Sequence, residues 1–195
     1  MPPEKARVGI LISGRGSNMR ALVEASRTAD SPYSVALVLS NKVDAEGLEF
    51  AKSCGIGTWA ESHKGLDRAQ FDARLDSALR NAGVEWVALA GYMRLLSPGF
   101  IAGWRDRIVN IHPSLLPAYK GLDTHARALA AGETRHGCTV HIVTEDLDDG
   151  PIIAQADVEV RQDDTPATLA ARVLEAEHRL YPAALAKVIR ESRGV

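Results

Sequence analysis

The sequence has few of the residues that stabilise or anchor a protein by special means. Only two of its 195 residues, Cys54 and Cys138, are cysteines, and two cannot build a disulfide framework. No run approaches the roughly 18 consecutive apolar residues of a membrane span. The stretch before Arg7 lacks the apolar segment of a secretory signal. We therefore predict a reduced, cytoplasmic protein without a membrane partner.

An excess of charge of one sign is also missing. Lys and Arg together number 23 and Asp and Glu 25, so the formal net charge is −2. Proteins that coat nucleic acid by bulk electrostatics carry a basic excess, so no nucleic-acid partner is predicted. No low-complexity linker or internal repeat divides the chain. The length and the 46% hydrophobic content suit one domain over residues 1–195 with its own core.

Apolar runs alternate with helical periodicity over most of the chain. Continuous runs of Val, Ile and Leu between helices are typical of parallel strands covered on both faces. In the last third, only residues 145–151 separate two strands, which is too short for a crossover helix. The pattern predicts an α/β fold: a single Rossmann-like domain with a mostly parallel twisted sheet and an antiparallel addition at one edge. Predicted strands are 7–13, 33–40, 84–90, 107–112, 137–144 and 152–160, and predicted helices are 18–29, 45–53 and 67–82. A last helix is capped by Thr165 and begins at Pro166. Pro182 kinks or ends it before a further helical piece runs toward Ile189.

A glycine-rich loop, SGRGSN (13–18), joins the first strand to the first helix. Glycines permit a tight turn, and the unpaired N–H groups of a helix N-terminus attract phosphate. The third glycine of a dinucleotide site and the Gly-Lys-Ser/Thr of an ATP site are both missing, which favours a monophosphate. Gly16, Ser17 and Asn18 are its predicted donors. The alternative is a plain turn with Ser17 as the helix N-cap.

The segment NIHPSLLP (110–117) ends a buried strand with polar side chains. Asn110 and His112 are two residues apart, so both point to one face, at the strand end where open α/β sheets bind ligands. An amide beside an imidazole suits stabilising an oxyanion and moving a proton. The alternative is a polar pair that caps the sheet edge. We also hypothesise a cis peptide bond between Leu116 and Pro117.

Two acids follow in LDDGP (147–151), in a turn after the strand that carries His141. A carboxylate near His112 would orient the imidazole and stabilise its charged form. Adjacent acids before Gly-Pro are also ordinary turn residues, and the turn alone does not choose between Asp148 and Asp149. His136 and His141 are five apart with no further ligand motif, so we predict structural roles and no metal site.

Seven segments, taken in order, resemble the glycinamide ribonucleotide transformylases of purine synthesis. Nearly the whole chain is covered, and the SGRGSN loop is the narrower sign because it belongs to the branch that binds a ribonucleotide phosphate. NIHPSLLP with the later LDxG is shared by all 10-formyltetrahydrofolate-using transferases. The segments are SGRGSN (13–18), SNK (40–42), LAGYMRLLSP (89–98), NIHPSLLP (110–117), HGCTVHIV (136–143), LDDGPIIAQ (147–155) and EHRLYP (177–182).

The resemblance implies a formyltransferase fold and transfer of a formyl group from N10-formyltetrahydrofolate, the co-substrate, to the amine of glycinamide ribonucleotide. The catalytic residues of the family match Asn110, His112 and Asp148, which selects Asp148 over Asp149. Residues 1–100 would form the phosphate-binding half and 101–195 the catalytic and folate-binding half of a monomer or homodimer. The substrate phosphate would bind Gly16, Ser17 and Asn18, the amine region Glu177, and the folate Arg68, Met93, Arg94, Leu95, Leu96, Thr144, Glu145, Asp146 and Leu147.

The chain departs from the family at Asp123, where a histidine is common, and at Leu174, which replaces a polar residue in some members. Three alternative functions remain. A formyltetrahydrofolate hydrolase normally carries an extra N-terminal domain, and a methionyl-tRNA formyltransferase carries a C-terminal tRNA-binding domain; we expect neither here. A catalytically silent nucleotide-binding module on the same fold is the third, and the complete Asn110, His112 and Asp148 set argues against it.

Overall fold

A computed structural model describes residues 4–194. Met1–Pro3 and Val195 of the predicted domain lie outside the described residues. The strands are β1 (Ala6–Ile12), β2 (Tyr33–Ser40), β3 (Gly57–Ala60), β4 (Trp86–Leu89), β5 (Ile108–His112), β6 (Arg135–Ile142) and β7 (Ile152–Glu159). The helices are α1 (Ser17–Ser26), α2 (Glu46–Ser53), α3 (Arg68–Asn81), α4 (Pro98–Gly103), α5 (Thr124–Ala130) and α6 (Pro166–Arg193).

The seven strands form one sheet in the order β3-β2-β1-β4-β5-β6-β7. The pairs among β1 to β5 are parallel, and β6 and β7 are added antiparallel at one edge. The predicted α/β architecture is therefore confirmed. The strand order reverses beside β1, so β1 and β4 end at the kind of crevice where α/β sheets bind ligands.

Helices cover the sheet on both faces, which explains the nearly unbroken apolar strands. One core cluster joins Val8 and Ile10 of β1 to α1, α2 and α6. The other joins Leu11 of β1 to α3 and α4, with Leu75 and Phe100 fully or almost fully buried. Alternate residues of β1 thus enter opposite layers, as the twofold repeat of a strand requires.

The long helix α6 corrects one prediction. It runs without interruption through Pro182, which the sequence analysis expected to kink or end it. Buried residues occur at helical spacing both before and after Pro182, among them Val173 and Leu185. Packing of this one stripe on the sheet outweighs the roughly 3 kcal/mol penalty of an interior proline.

Three short elements were absent from the predictions. β3 has four residues, α4 six and α5 seven, which is too short for a periodicity to emerge. The structure describes no helix that is long and apolar enough to cross a bilayer. Both cysteines are free, with Cys138 buried and Cys54 half-buried.

Candidate active site

The site is built at the end of β5, where an antiparallel neighbour faces it. Asn110 of β5 pairs directly with His141 of β6, and His112 pairs with Thr139. Directly opposed residues in an antiparallel pair have their side chains on the same face. The Nδ2 atom of Asn110 consequently lies 3.2 Å from the Nε2 atom of His141.

The surroundings of His141 determine its tautomer. Its Nδ1 atom lies 2.9 Å from the carbonyl oxygen of Ile142, which only accepts, so Nδ1 carries the proton. Burial lowers the pKa of His141, although the Ile142 carbonyl and Asp148 oppose the shift. The neutral ring then accepts at Nε2 from one N–H of Asn110. This hydrogen bond fixes the Asn110 amide, whose second N–H points elsewhere and can serve a ligand.

Asp148 completes the cluster from the turn before β7. Its Oδ2 atom lies 3.4 Å from Nδ1 of His112, and its Oδ1 atom lies 3.9 Å from Nε2 of His141. The backbone N–H of Gly121 also donates to Oδ2, at 2.9 Å. Asp149 instead pairs with Lys120 at the surface. The two adjacent acids therefore differ completely in environment.

The turn that carries Asp148 requires an unusual backbone conformation. Asp148 has a φ of 49°, a left-handed conformation that aspartate tolerates better than most residues. At Gly150, a Cβ atom would lie 1.8 Å from the carbonyl oxygen of Ile142. A side chain at position 150 would push the turn away from β6, and Asp148 with it. The glycine of the LDxG motif thus has a steric explanation.

The loop after His112 is fastened to β6 and β7. The hydroxyl of Thr139 donates to the carbonyl of Ser114 and accepts from the N–H of Leu116, while Gln155 donates to the Leu116 carbonyl. The predicted cis peptide bond between Leu116 and Pro117 is confirmed. This loop brings the carbonyl of Tyr119 to 2.9 Å from Nε2 of His112. Both ring nitrogens of His112 therefore have acceptors.

A second pair of histidines supports the same loop. Nε2 of His136 lies 3.2 Å from Nδ1 of His125, the second residue of α5, and Tyr119 meets the His136 ring edge-on. Burial lowers the pKa of His125 to about 4 and also lowers that of His136. Both rings are neutral at pH 7. In residues 4–194 no three His, Cys, Asp or Glu side chains form a metal-binding cluster.

The glycine loop lies at the carboxyl end of β1. Gly16 has a φ of 69° and is the N-cap of α1, so the alternative with Ser17 as N-cap is wrong. Asn18 is buried and donates from Nδ2 to Oε2 of Glu177, at 2.7 Å, while its Oδ1 atom has no partner among the described residues. Burial raises the pKa of Glu177. Two residues 159 positions apart therefore meet beside the helix N-terminus.

The residues predicted to bind folate occupy three segments. Met93 and Leu95 expose 66% and 55% of their surface, which is unusual for apolar residues without a partner. The guanidinium of Arg94 stacks over Phe71, and the side chain of Leu96 is buried in the second core cluster. Leu96 can therefore offer a ligand only its backbone. Arg68 begins α3, and Thr144, Glu145, Asp146 and Leu147 precede Asp148 in a loop with a 54% exposed Leu147.

The sequence reasoning missed two features of the site. It gave His141 only a structural role, because the register that places it opposite Asn110 is a property of the assembled sheet. Nothing in the sequence indicated that Arg127 and Arg172 bind neighbouring groups. Arg172 forms a paired hydrogen bond with Asp164 before α6, and Arg127 donates to the carbonyl of Lys120 in the loop that follows His112.

Comparison with known proteins decides the family. A family model described as formyl transferase matches residues 6–185. The chain belongs to the formyl transferase family. The chain is 45% identical over 174 residues to the phosphoribosylglycinamide formyltransferase of Escherichia coli, and the match covers 89% of the chain and 82% of that protein.

The formyl transferase also resembles part of a much longer human protein. It is 47% identical over 183 residues to the human trifunctional purine biosynthetic protein adenosine-3, but spans only 18% of that protein's length. The structure of the phosphoribosylglycinamide formyltransferase from Brucella melitensis superposes with a TM-score of 0.92 at 50% identity, covering 95% of this chain and 96% of that one. The glycinamide ribonucleotide transformylase 1 of Symbiobacterium toebii gives 0.93 at 43% identity, covering 96% and 89%.

Proposed function

We propose that this chain transfers the formyl group of N10-formyltetrahydrofolate to the amine of glycinamide ribonucleotide in purine biosynthesis. The observation that carries the proposal is the meeting of Asn110, His112 and Asp148 at the end of β5. The names of the similar proteins support the same reaction. The proposed site of action is the cytoplasm.

The reaction is a direct acyl transfer. The substrate amine attacks the formyl carbon, a new C–N bond forms, and negative charge develops on the formyl oxygen. The bond from the formyl carbon to N10 then breaks, and the proton lost by the amine passes to N10. No covalent bond to the enzyme is needed, so the chain has only to align the substrates and to stabilise charge.

Asn110 and His112 stabilise the formyl oxygen. Because His141 accepts one N–H of Asn110, the other N–H is left for the oxygen. His112 donates from Nε2 to the Tyr119 carbonyl at 2.9 Å, and the formyl oxygen replaces that carbonyl as acceptor during the reaction. Asp148 lies 3.4 Å from Nδ1 of His112, where it orients the ring, and it carries the amine proton toward N10 through water.

The substrates bind on either side of this cluster. The ribonucleotide phosphate rests on Gly16, Ser17 and Asn18 at the N-terminus of α1, with Glu177 near the amine. The folate lies along Met93, Arg94, Leu95 and Leu96, with Thr144, Glu145, Asp146, Leu147 and Arg68. Since residues 93–96 belong to the first hundred, the proposed division into a phosphate half (1–100) and a catalytic and folate half (101–195) is only approximate.

Only small-molecule partners are proposed, because the near-balanced charge of −2 offers no bulk attraction to nucleic acid. We predict that the chain is a monomer or a homodimer, and sedimentation velocity would distinguish the two.

The test is a spectrophotometric assay of the purified chain with both substrates. The proposal is supported if tetrahydrofolate is released only when the ribonucleotide is present. Mass spectrometry of the ribonucleotide product should then show one added formyl group. Release without the ribonucleotide would indicate a hydrolase instead. No reaction under either condition would favour a silent nucleotide-binding module.

A further inference from the structure

The hydroxyl of Ser13 is buried at the carboxyl end of β1 and has no role in the mechanism above. Ser13 directly follows β1 and is 5% exposed. Its Oγ atom lies 2.8 Å from the backbone nitrogen of Met93 and 2.6 Å from Oδ1 of Asn41. One side chain thus joins three segments that follow β1, β2 and β4.

The direction of these hydrogen bonds is determined. The N–H of Met93 can only donate, so the Ser13 oxygen accepts it and sends its single hydrogen to Oδ1 of Asn41. The Asn41 amide nitrogen then faces Nδ1 of His63 at 3.2 Å. Asn41 is 3% exposed, so its orientation is held on both sides. The same His63 nitrogen lies 3.1 Å from the Asn41 backbone carbonyl. Both hydrogen bonds of the Ser13 hydroxyl are made in a buried place, which favours a rigid arrangement.

The two segments joined by Ser13 are the two proposed substrate sites. The glycine loop begins at Ser13, and the carbonyl of Gly14, the next residue, accepts from the N–H of Gly47 at 3.1 Å. Met93 begins the stretch 93–96, whose other end is held where the N–H of Ser97 donates to Asp72 at 2.6 Å. Ser13 and Asp72 are therefore side-chain anchors at the two ends of this stretch.

We propose that Ser13 is a positioning residue that fixes the 93–96 stretch to the glycine loop, so that binding of the ribonucleotide and binding of the folate favour each other. The inference rests on the proposed function for the identity of the two ligands. Without the hydroxyl, the Met93 N–H and the Asn41 carbonyl lose their common partner, and the stretch is released at one end. Coupling between two binding sites is reciprocal, so each ligand should sense the other through Ser13.

Hydrogen exchange at the Met93 amide tests the anchor without any catalysis. In Ser13→Ala, this amide should exchange about ten times faster, the loss expected for one hydrogen bond. The matched control is Ser31→Ala, which also removes a buried hydroxyl but acts at Tyr33, at the start of β2. Unchanged Met93 exchange in Ser13→Ala would overturn the inference.

Variants of Asn41 keep the test decisive if Ser13→Ala folds poorly. Asn41→Asp retains an acceptor for the Ser13 hydroxyl and should leave Met93 protected. Asn41→Leu removes the acceptor at similar volume and should raise exchange as Ser13→Ala does. Equal exchange in Asn41→Asp and Asn41→Leu would show that the relay does not hold Met93.

Kinetics and ligand effects test the coupling. Ser13→Ala should raise the KM for the formyl folate about tenfold with kcat within about threefold, whereas loss of kcat at unchanged KM would contradict positioning.

Glycinamide ribonucleotide should slow Met93 exchange in the unmodified chain and not in Ser13→Ala; no slowing in the unmodified chain would overturn the coupling. If the unmodified chain does not turn over the two substrates, the proposed function fails, and the ligand-free exchange data still decide the anchor.

Discussion

At the scale of the residue, the polar side chains at the end of β5 are oriented by hydrogen-bonding partners that can act only as a donor or only as an acceptor. The Ile142 carbonyl makes His141 an acceptor, and His141 in turn orientates Asn110. The Tyr119 carbonyl and the Asp148 carboxylate surround His112 in the same way. Hydrogen-bond donors that are already oriented need not reorganise when charge develops on a substrate. This preorganisation lowers the barrier of the reaction.

Removal of the free amide N–H of Asn110 should lower the turnover rate. We expect Asn110→Ala to lower kcat by about 10²–10³ with little change in either KM, because the N–H acts on charge that appears in the transition state. Steady-state rates at saturating substrates measure the effect. The exposed Asn81→Ala is the control, and a rate for Asn110→Ala equal to that control would exclude the proposed role.

His141 should act through Asn110. His141→Leu removes the acceptor that holds the amide, and we expect kcat to fall about tenfold or more. The change should add nothing to Asn110→Ala, because both variants interrupt one interaction. His141→Gln retains an acceptor and should recover part of the rate. Additive losses in the double variant would mean that His141 acts independently.

At the scale of the element, the loop between β5 and α5 depends on side chains of the two strands that follow it in the chain. Thr139 and Gln155 fasten its first half to β6 and β7, and the histidine pair supports its second half. Tyr119 and Asp123 both have φ of 56°, a left-handed conformation disfavoured for residues with a side chain. The loop therefore holds its shape through side-chain contacts rather than by backbone preference.

Acid should loosen this loop. The pKa of His125 is lowered to about 4 and that of His136 is also lowered, chiefly by burial, so the folded loop favours neutral rings. A released loop binds more protons below pH 6.5, and its ordering should weaken as the pH falls from about 6.5 toward 4. Backbone NMR signals of residues 117–123 measure the ordering.

The control for this pH effect is the signal set of β1, which should stay constant over the same range. His125→Asn, which does not titrate, should shift or reduce the transition. Signals of 117–123 that are independent of pH down to 4 would contradict the expectation.

The capping box of α3 stabilises an element that begins with Arg68. Asp67 accepts from the N–H of Gln70 at 2.7 Å, and Gln70 accepts from the N–H of Asp67. Asp67→Ala should lower the free energy of unfolding by about 1 kcal/mol, seen as a lower urea midpoint at unchanged slope. Asp67→Ser retains an acceptor and should recover most of the loss; equal midpoints for the two variants would argue against the cap.

At the scale of the whole molecule, long-range contacts join the two layers to the active-site edge. Asn18 and Glu177 link the glycine loop to α6 across 159 positions. Tyr181, also on α6, is fully buried and its hydroxyl lies 3.0 Å and 2.9 Å from the carbonyls of Leu89 and Val109. One helix thereby positions the ends of β4 and β5 together with the glycine loop.

Tyr181→Phe tests this connection. The variant removes a buried donor shared by two carbonyls and should lower the free energy of unfolding by about 1–2 kcal/mol in urea. Tyr33→Phe, whose hydroxyl bonds only the Leu22 carbonyl, provides the comparison and should lose less. A stability of Tyr181→Phe equal to that of the unmodified chain would mean that the two strands need no such bridge.

The sequence by itself determined the α/β class and most strands, because twofold and helical periodicities are local, and its short motifs, through the resemblance they carry, proposed Asn110, His112 and Asp148 for catalysis. The continuation of α6 through Pro182, the difference between Asp148 and Asp149 in the turn, and the place of His141 opposite Asn110 were decided only by tertiary structure. Each depends on contacts between residues distant in the chain. The Ser13 relay has the same origin: its members follow three strands, and only the assembled sheet brings their ends together.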